Sequence, residues 1–236
     1  MGLLLSKVLV KHHSRKPLAV AARSSHHHRN TDYGSGRTFF KFPPLRGNIL
    51  LVGDGDFAYS VACARANQSN GSSARITATS FDSKKEVVGK YSHAKKNIDF
   101  LIHSSNVSVK HNINAIQPGS LGGNRVWDSI VWNFPYPSSR TPTHPSMSAT
   151  FRKFFQNAVP SLKSNGIIYI TLGINQAEKP MWGLKDLAGH NGLEVYSVVT
   201  FKASNICGYE PKRSYNDQKI PNFESCTYEL RVYWIN

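Results

Sequence analysis

The chain has 236 residues and a mass of 26.3 kDa, with 40% hydrophobic and 11% aromatic residues, which suits one globular domain with a buried core and excludes wholly disordered and collagen-like classes. Its formal net charge of +15 suits a polyanion such as RNA, because phosphate contacts supply most non-specific affinity, and equally suits a solvated surface with a basic arm. Apolar runs such as Ile49 to Val52 and Ile167 to Ile170 are too short to cross a bilayer, and Cys63, Cys207 and Cys226, an odd number without CxxC spacing, indicate neither a disulfide framework nor a zinc knuckle.

Residues 1–47 carry nine Lys/Arg against one acid, Asp32, which leaves +7 for the body. Residues 1–46 read as a basic leader. Its Leu3-Leu4-Leu5 start and its scarcity of acids fit an organelle transit peptide, and the same composition fits a flexible basic arm of a nuclear or nucleolar protein. Five of the ten histidines lie in this leader without a cysteine or carboxylate set, so no metal is expected. Phe42-Pro43-Pro44 reads as a stiff hinge, followed by one domain over 47–236 that is expected to act as a monomer.

From Asn48 short apolar runs alternate with amphipathic stretches, the pattern of βαβ units and a parallel sheet. The first strand, Asn48 to Val52, ends in Gly53-Asp54-Gly55-Asp56-Phe57-Ala58. This satisfies G-x-G-x-x-A, where glycines let backbone amides and a helix N-terminus approach a ligand closely. A dinucleotide pyrophosphate and the methionine half of S-adenosylmethionine (SAM) compete for such a loop. Asp54 and Asp56 favour the second, since carboxylates repel a diphosphate and complement a sulfonium and an ammonium group.

The second strand, Arg75 to Phe81, is closed by Asp82, placed either to hydrogen-bond ribose hydroxyls or to cap the next helix. Val87, Tyr91, Ala94, Ile98 and Leu101 recur at helical spacing and predict one helix. After the third strand, Asn106 to His111, Asn114 falls where an adenine amino group would lie; a plain turn asparagine is the alternative.

The fourth strand, Asp128 to Asn133, runs into Asn133-Phe134-Pro135-Tyr136 at the carboxyl edge of the sheet. An amide oxygen can orient a base nitrogen and an aromatic face can stack on a flipped-out base, so the tetrapeptide is a candidate target-base site; an ordinary strand-exit turn is the alternative. Phe151, Phe154, Phe155, Ala158 and Leu162 predict a helix that Pro160 kinks or shortens. A strand over Gly166 to Leu172, a helix over Met181 to His190 and a strand over Leu193 to Phe201 follow. The polar stretch Ser204 to Ser225, with Tyr209, Lys212, Arg213, Tyr215 and Lys219, interleaves basic and aromatic residues as RNA binding requires. A last strand spans Cys226 to Trp234.

Taken together these motifs resemble the large-subunit (25S) ribosomal RNA uridine-N3 methyltransferases. The carriers are Leu50 to Phe57, Ile76 to Ser83, Asn133-Phe134-Pro135, Thr171-Leu172, Trp182, Gly208-Tyr209 and Arg213, in that order. The resemblance implies a Rossmann-like class I methyltransferase fold: a mostly parallel seven-stranded sheet, the last strand antiparallel, helices on both faces. It implies methyl transfer from SAM to N3 of a uridine in ribosomal RNA. Gly53, Asp54, Gly55, Asp56 and Phe57 would line the donor loop, with Asp82 on the ribose and Asn114 on the adenine. Asn133, Phe134, Pro135 and Tyr136 would border the uracil, and Tyr209 and Arg213 the RNA. The chain departs from the pattern at Asn114 (usually Asp), Tyr136 (usually His) and Ile206-Cys207 (usually Tyr-Pro). These departures keep open a non-catalytic RNA-binding relative, beside the NAD-dependent oxidoreductase that the glycine loop alone would allow.

Overall fold

The computed structural model describes residues 39–136, 144–174, 182–213, 216–220 and 224–233. The leader through residue 38, Met181, Tyr215 and Trp234 lie outside them. Seven strands form one sheet: β1 (Asn48–Val52), β2 (Arg75–Thr79), β3 (Val107–Lys110), β4 (Trp127–Asn133), β5 (Leu162–Gly173), β6 (Leu193–Phe201) and β7 (Ser225–Val232). Their spatial order is β3-β2-β1-β4-β5-β7-β6. The first five run parallel to one another, and β7 inserts antiparallel between β5 and β6. This is the architecture implied by the resemblance.

The alternating side chains of β1 explain why both faces are covered. Ile49 and Leu51 join a core with α1 (Ala58–Ser69), α2 (Lys84–Lys90) and α3 (Ala94–Ile102). Leu50 and Val52 join a second core with α4 (His144–Ser161) and α5 (Leu184–His190). The chain therefore leaves β1 toward one face and leaves β4 toward the other. Since β1 and β4 are neighbours, with Val52 level with Trp132, the connections diverge there and open a crevice at their carboxyl ends.

Three local expectations are modified. The single helix expected over Val87 to Leu101 is two, because Tyr91 takes an extended conformation (φ −125°, ψ 121°). Val87, Tyr91, Ala94, Ile98 and Leu101 are all buried, so the apolar period runs through the break and hides it. Pro160 does not shorten α4: it sits in the last turn, where the carbonyls of Pro160 and Ser161 accept from Arg125 N and Val126 N instead of from helix amides. Residues 39–46, expected as leader and hinge, pack on the domain. Phe40 N donates to Thr200 O at 2.9 Å, and the Phe40 ring lies 5.1 Å from Tyr169. Burial of Phe40 contributes about 1.5–3 kcal/mol, enough to hold a short strap without further secondary structure.

The loop from Asn114 to Gly122 is fixed to α4 by Asn157. This buried amide donates to Ala115 O, Gln117 O and Ser120 Oγ and accepts from Gly119 N, all within 3.0 Å. Among the described residues no helix is long and apolar enough to cross a membrane.

Candidate functional site

The carboxyl ends of β1, β2 and β4 meet at the glycine loop. Thr79 stitches the first two: its Oγ1 donates to Leu51 O at 2.8 Å and accepts from Gly53 N at 3.3 Å, and its carbonyl accepts from Asp54 N at 2.9 Å. Gly53 adopts φ +62°, and a Cβ there would lie 3.3 Å from the Trp132 indole nitrogen. A Cβ on Gly55 would meet the Tyr91 hydroxyl at 2.9 Å. Both glycines are thus required by close approach, and Gly53 also by its left-handed backbone.

Asp54 and Asp56 close the start of α1. Asp54 Oδ2 accepts from Ser60 N at 2.7 Å and Ser60 Oγ at 2.5 Å, while Asp56 Oδ1 accepts from Ala58 N at 3.0 Å. They do the capping that Phe57, the residue at the cap position, has no side-chain atom to do. Burial and the neighbouring Asp56 push the Asp54 carboxyl up from 3.8 to about 7. Burial raises Asp56 too, offset by the Ala58 amide and by the Lys212 ammonium. The helix end and one lysine do not fully satisfy two adjacent carboxylates, so the loop favours an added cation.

Phe57 differs from its expected donor-lining place. It is fully buried and meets His111 edge-on at 5.4 Å, so only its backbone borders the loop. Its φ of +62° costs about 1–2 kcal/mol, offset by about 1.5–3 kcal/mol from burying the ring. Asp82 is not the cap of α2; Ser83 is, in a capping box with Glu86. The Asp82 carboxylate instead pairs with Lys90 at 2.7 Å. Asn114 turns its Oδ1 back to Ile116 N at 3.3 Å, the behaviour of a turn asparagine, so the side chain is committed to its own loop.

Asn133 stands beside the glycine loop, one residue past the level of Val52. Its Oδ1 accepts from Thr171 Oγ1 at 2.7 Å. Phe134 adopts φ +50° and packs edge-on against Phe201 at 5.6 Å, while Pro135 is buried. Of the tetrapeptide, only Tyr136 presents an open aromatic face, at 43% exposure.

The segment after β6 folds over the loop. Tyr209 is buried, 5.3 Å from Tyr59 and 6.3 Å from Phe201; its hydroxyl is pushed well above its ordinary value by burial and by Asp54 and Asp56. It is therefore a wall of the loop and not a stacking platform. The Arg213 carbonyl accepts from the Tyr91 hydroxyl at 3.1 Å, and Asp217 accepts from Ser92 N and Oγ, which ties the segment to the break between α2 and α3. Four further residues neighbour the loop: Tyr91, read from sequence as a helix residue, Lys212, read as part of the RNA-suited stretch, and Tyr59 and Ser60, which no sequence pattern singles out. Two cavities, of about 460 and 400 Å³, lie elsewhere, under residues 39–45 and at the amino ends of β1 to β3. No glycine-loop residue lines either; charge and close backbone approach mark this site better than void volume.

The BMT5-like family model, described as rRNA (uridine-N3-)-methyltransferase BTM5-like, matches residues 50–213. An uncharacterised protein of Arabidopsis thaliana is 34% identical over 196 residues, covering 76% of this chain and 90% of that protein. The Arabidopsis heavy metal-associated isoprenylated plant protein 41 is 30% identical over 220 residues, covering 86% of this chain and 40% of its own length. Among solved structures, a mutant 16S rRNA (adenine(1408)-N(1))-methyltransferase from Catenulisporales acidiphilia with cosubstrate SAM superposes with a TM-score of 0.53 at 11% identity, over 80% of this chain and 86% of that one. An antibiotic-related methyltransferase gives 0.52 at 15% identity, over 78% and 86%. At these identities the structures speak for the fold.

Proposed function

The chain belongs to the BMT5-like family, whose members are SAM-dependent methyltransferases, and from that premise we propose that it methylates N3 of a uridine in large-subunit ribosomal RNA. The observation that carries this reading is the juxtaposition of Gly53 and Asn133. The donor loop and the base-facing tetrapeptide leave neighbouring strands at the same level, with Val52 beside Trp132. Donor loop and tetrapeptide therefore border one crevice, as transfer of a methyl group between them requires.

The residues present fit the donor. Asp54 and Asp56 supply the negative charge that a sulfonium and an ammonium group require, Gly53 and Gly55 bring backbone close, and Asp82 stands at the end of β2 for the ribose diol. When bound, SAM supplies an electrophilic methyl group on a positively charged sulfur. The protein's own part is positioning: Asn133 and Tyr136 hold the uracil while Tyr91 and Tyr209 cover the loop and reduce access of water. The basic surface of the body suits the RNA phosphates.

The test is incubation with unmodified large-subunit ribosomal RNA and labelled SAM, digestion to nucleosides and mass spectrometry. Label in 3-methyluridine is the expected outcome. Tight donor binding without label in RNA would favour a non-catalytic RNA-binding relative, and label in another nucleoside would overturn the base assignment.

A further inference from the structure

The cavity of about 460 Å³ under residues 39–45 has Phe39, Phe40, Phe42 and Val199 among its walls, and its two charged residues are Lys41 and Glu229. The register of the sheet gives the direction of Glu229. It stands level with Tyr169 on β5 and with Ser197 on β6, and residues level with one another on neighbouring strands share a face. On that face the Tyr169 ring lies 5.1 Å from Phe40, so the Glu229 side chain rises toward the same strap.

This carboxylate is left without a partner. Among the described residues no hydrogen-bond donor and no ion-pairing group reaches it. Lys41 is exposed and makes no ion pair with it. Arg231, two residues further on, has its guanidinium over the Tyr196 ring at 3.3 Å. Burial raises the Glu229 carboxyl above its ordinary value, and Arg231 offsets this only in part. A partly buried, unpaired carboxylate beside apolar walls is costly, and a cation placed there removes the cost.

The walls suit an organic cation. Aromatic faces attract positive charge, and the Phe39 ring already has the Lys202 ammonium 4.7 Å from its centroid. The strap that carries these rings is fixed in place: Phe40 N donates to Thr200 O, and the Tyr59 hydroxyl donates to Lys41 O, each at 2.9 Å. The cavity is therefore formed before a ligand arrives, and its volume lies in the range of small-molecule sites.

We propose that this cavity binds a small organic cation with an apolar body, a protonated or quaternary amine, its charge at Glu229 and its body against Phe40, Phe42 and Val199. An anion of the same shape would meet the Glu229 charge and be rejected. No residue of the glycine loop or of Asn133 to Tyr136 lines the cavity, so an amine held here leaves the donor crevice open.

The experiment titrates the full chain with 2-phenylethylamine and, separately, with 3-phenylpropionate, followed by ligand-detected NMR at about pH 8, where a carboxylate is ionised and an alkylamine protonated. Saturable binding of the amine is expected, with the propionate weaker by about tenfold or more. Glu229→Gln keeps the shape of the side chain and removes its charge; it should weaken the amine by about tenfold or more. Asp54→Asn should leave the amine affinity unchanged, and Val199→Phe, which sets a ring in the cavity, should abolish it. Loss of the amine in Asp54→Asn with full affinity in Glu229→Gln would assign it to the donor crevice and overturn the proposal. No saturable binding in wild type, or equal affinity for amine and propionate, overturns it too. Should thermal melting show that Glu229→Gln does not fold, Val199→Phe carries the test, and unchanged amine affinity there overturns the site.

Discussion

Asp54 accepts two hydrogen bonds from Ser60, one from its backbone N at 2.7 Å and one from its Oγ at 2.5 Å. The carboxylate whose charge suits a cationic donor is therefore also the group that secures the first turn of α1. Donor affinity and stability of the helix start are linked through one side chain, and each should respond to its protonation.

The sign of that response follows from the raised value. With its carboxyl moved from 3.8 to about 7 by burial and Asp56, folding favours the protonated form. The contribution of Asp54 to stability is complete below its unfolded value and is lost as pH rises through about 7. Thermal melting of the donor-free protein should fall across that interval, and Asp54→Asn should remove this share of the slope. SAM affinity should rise over the same interval in wild type, because a cation prefers the ionised carboxylate, and be flat in the variant. Affinity that falls with rising pH would contradict the assignment.

At the second strand, Asp82 and Lys90 should separate donor binding from stability. Asp82→Asn is expected to weaken SAM by about 1.5–3 kcal/mol, the scale of a hydrogen bond to a charged group. Lys90→Met breaks a partly exposed pair and should change stability by less than about 1 kcal/mol. Calorimetry with both variants checks this; equal losses of donor affinity would mean that the pair acts as a unit.

Gly55→Ala would set a methyl group 2.9 Å from the Tyr91 hydroxyl, forcing that ring away and breaking its bond to Arg213 O. Donor affinity should drop about tenfold or more while the melting transition stays cooperative. Unchanged affinity, measured by calorimetry, would show that Tyr91 does not border the donor.

Away from the crevice, Asn157→Ala should cost about 2–3 kcal/mol in denaturant unfolding, since it leaves buried groups of the Ala115 to Gly119 loop without partners. The denaturant slope should be unchanged.

The strand segments and the place of the donor loop were legible because they rest on period and on a local motif. β1 and β6 have the expected limits, and Gly53 carries the positive φ that its loop demands. What escaped depends on contacts between distant residues. Tyr91 breaks a helix without breaking its apolar period, and its reason, the approach to Gly55 and Arg213, lies 36 and 122 residues away in the chain. Phe57 and Tyr209 looked like ligand-facing aromatics and are buried walls, since a motif gives a residue's place but not the direction of its side chain. Asn133 is tied to Thr171, 38 residues away, a link that no local pattern shows.

Paired carboxylates at the crevice should select a cation over a diphosphate. Calorimetric titration of the full chain with SAM and, separately, with NAD at neutral pH tests this most directly. Saturable binding of SAM with no heat from NAD is the predicted result; binding of NAD without binding of SAM would contradict it.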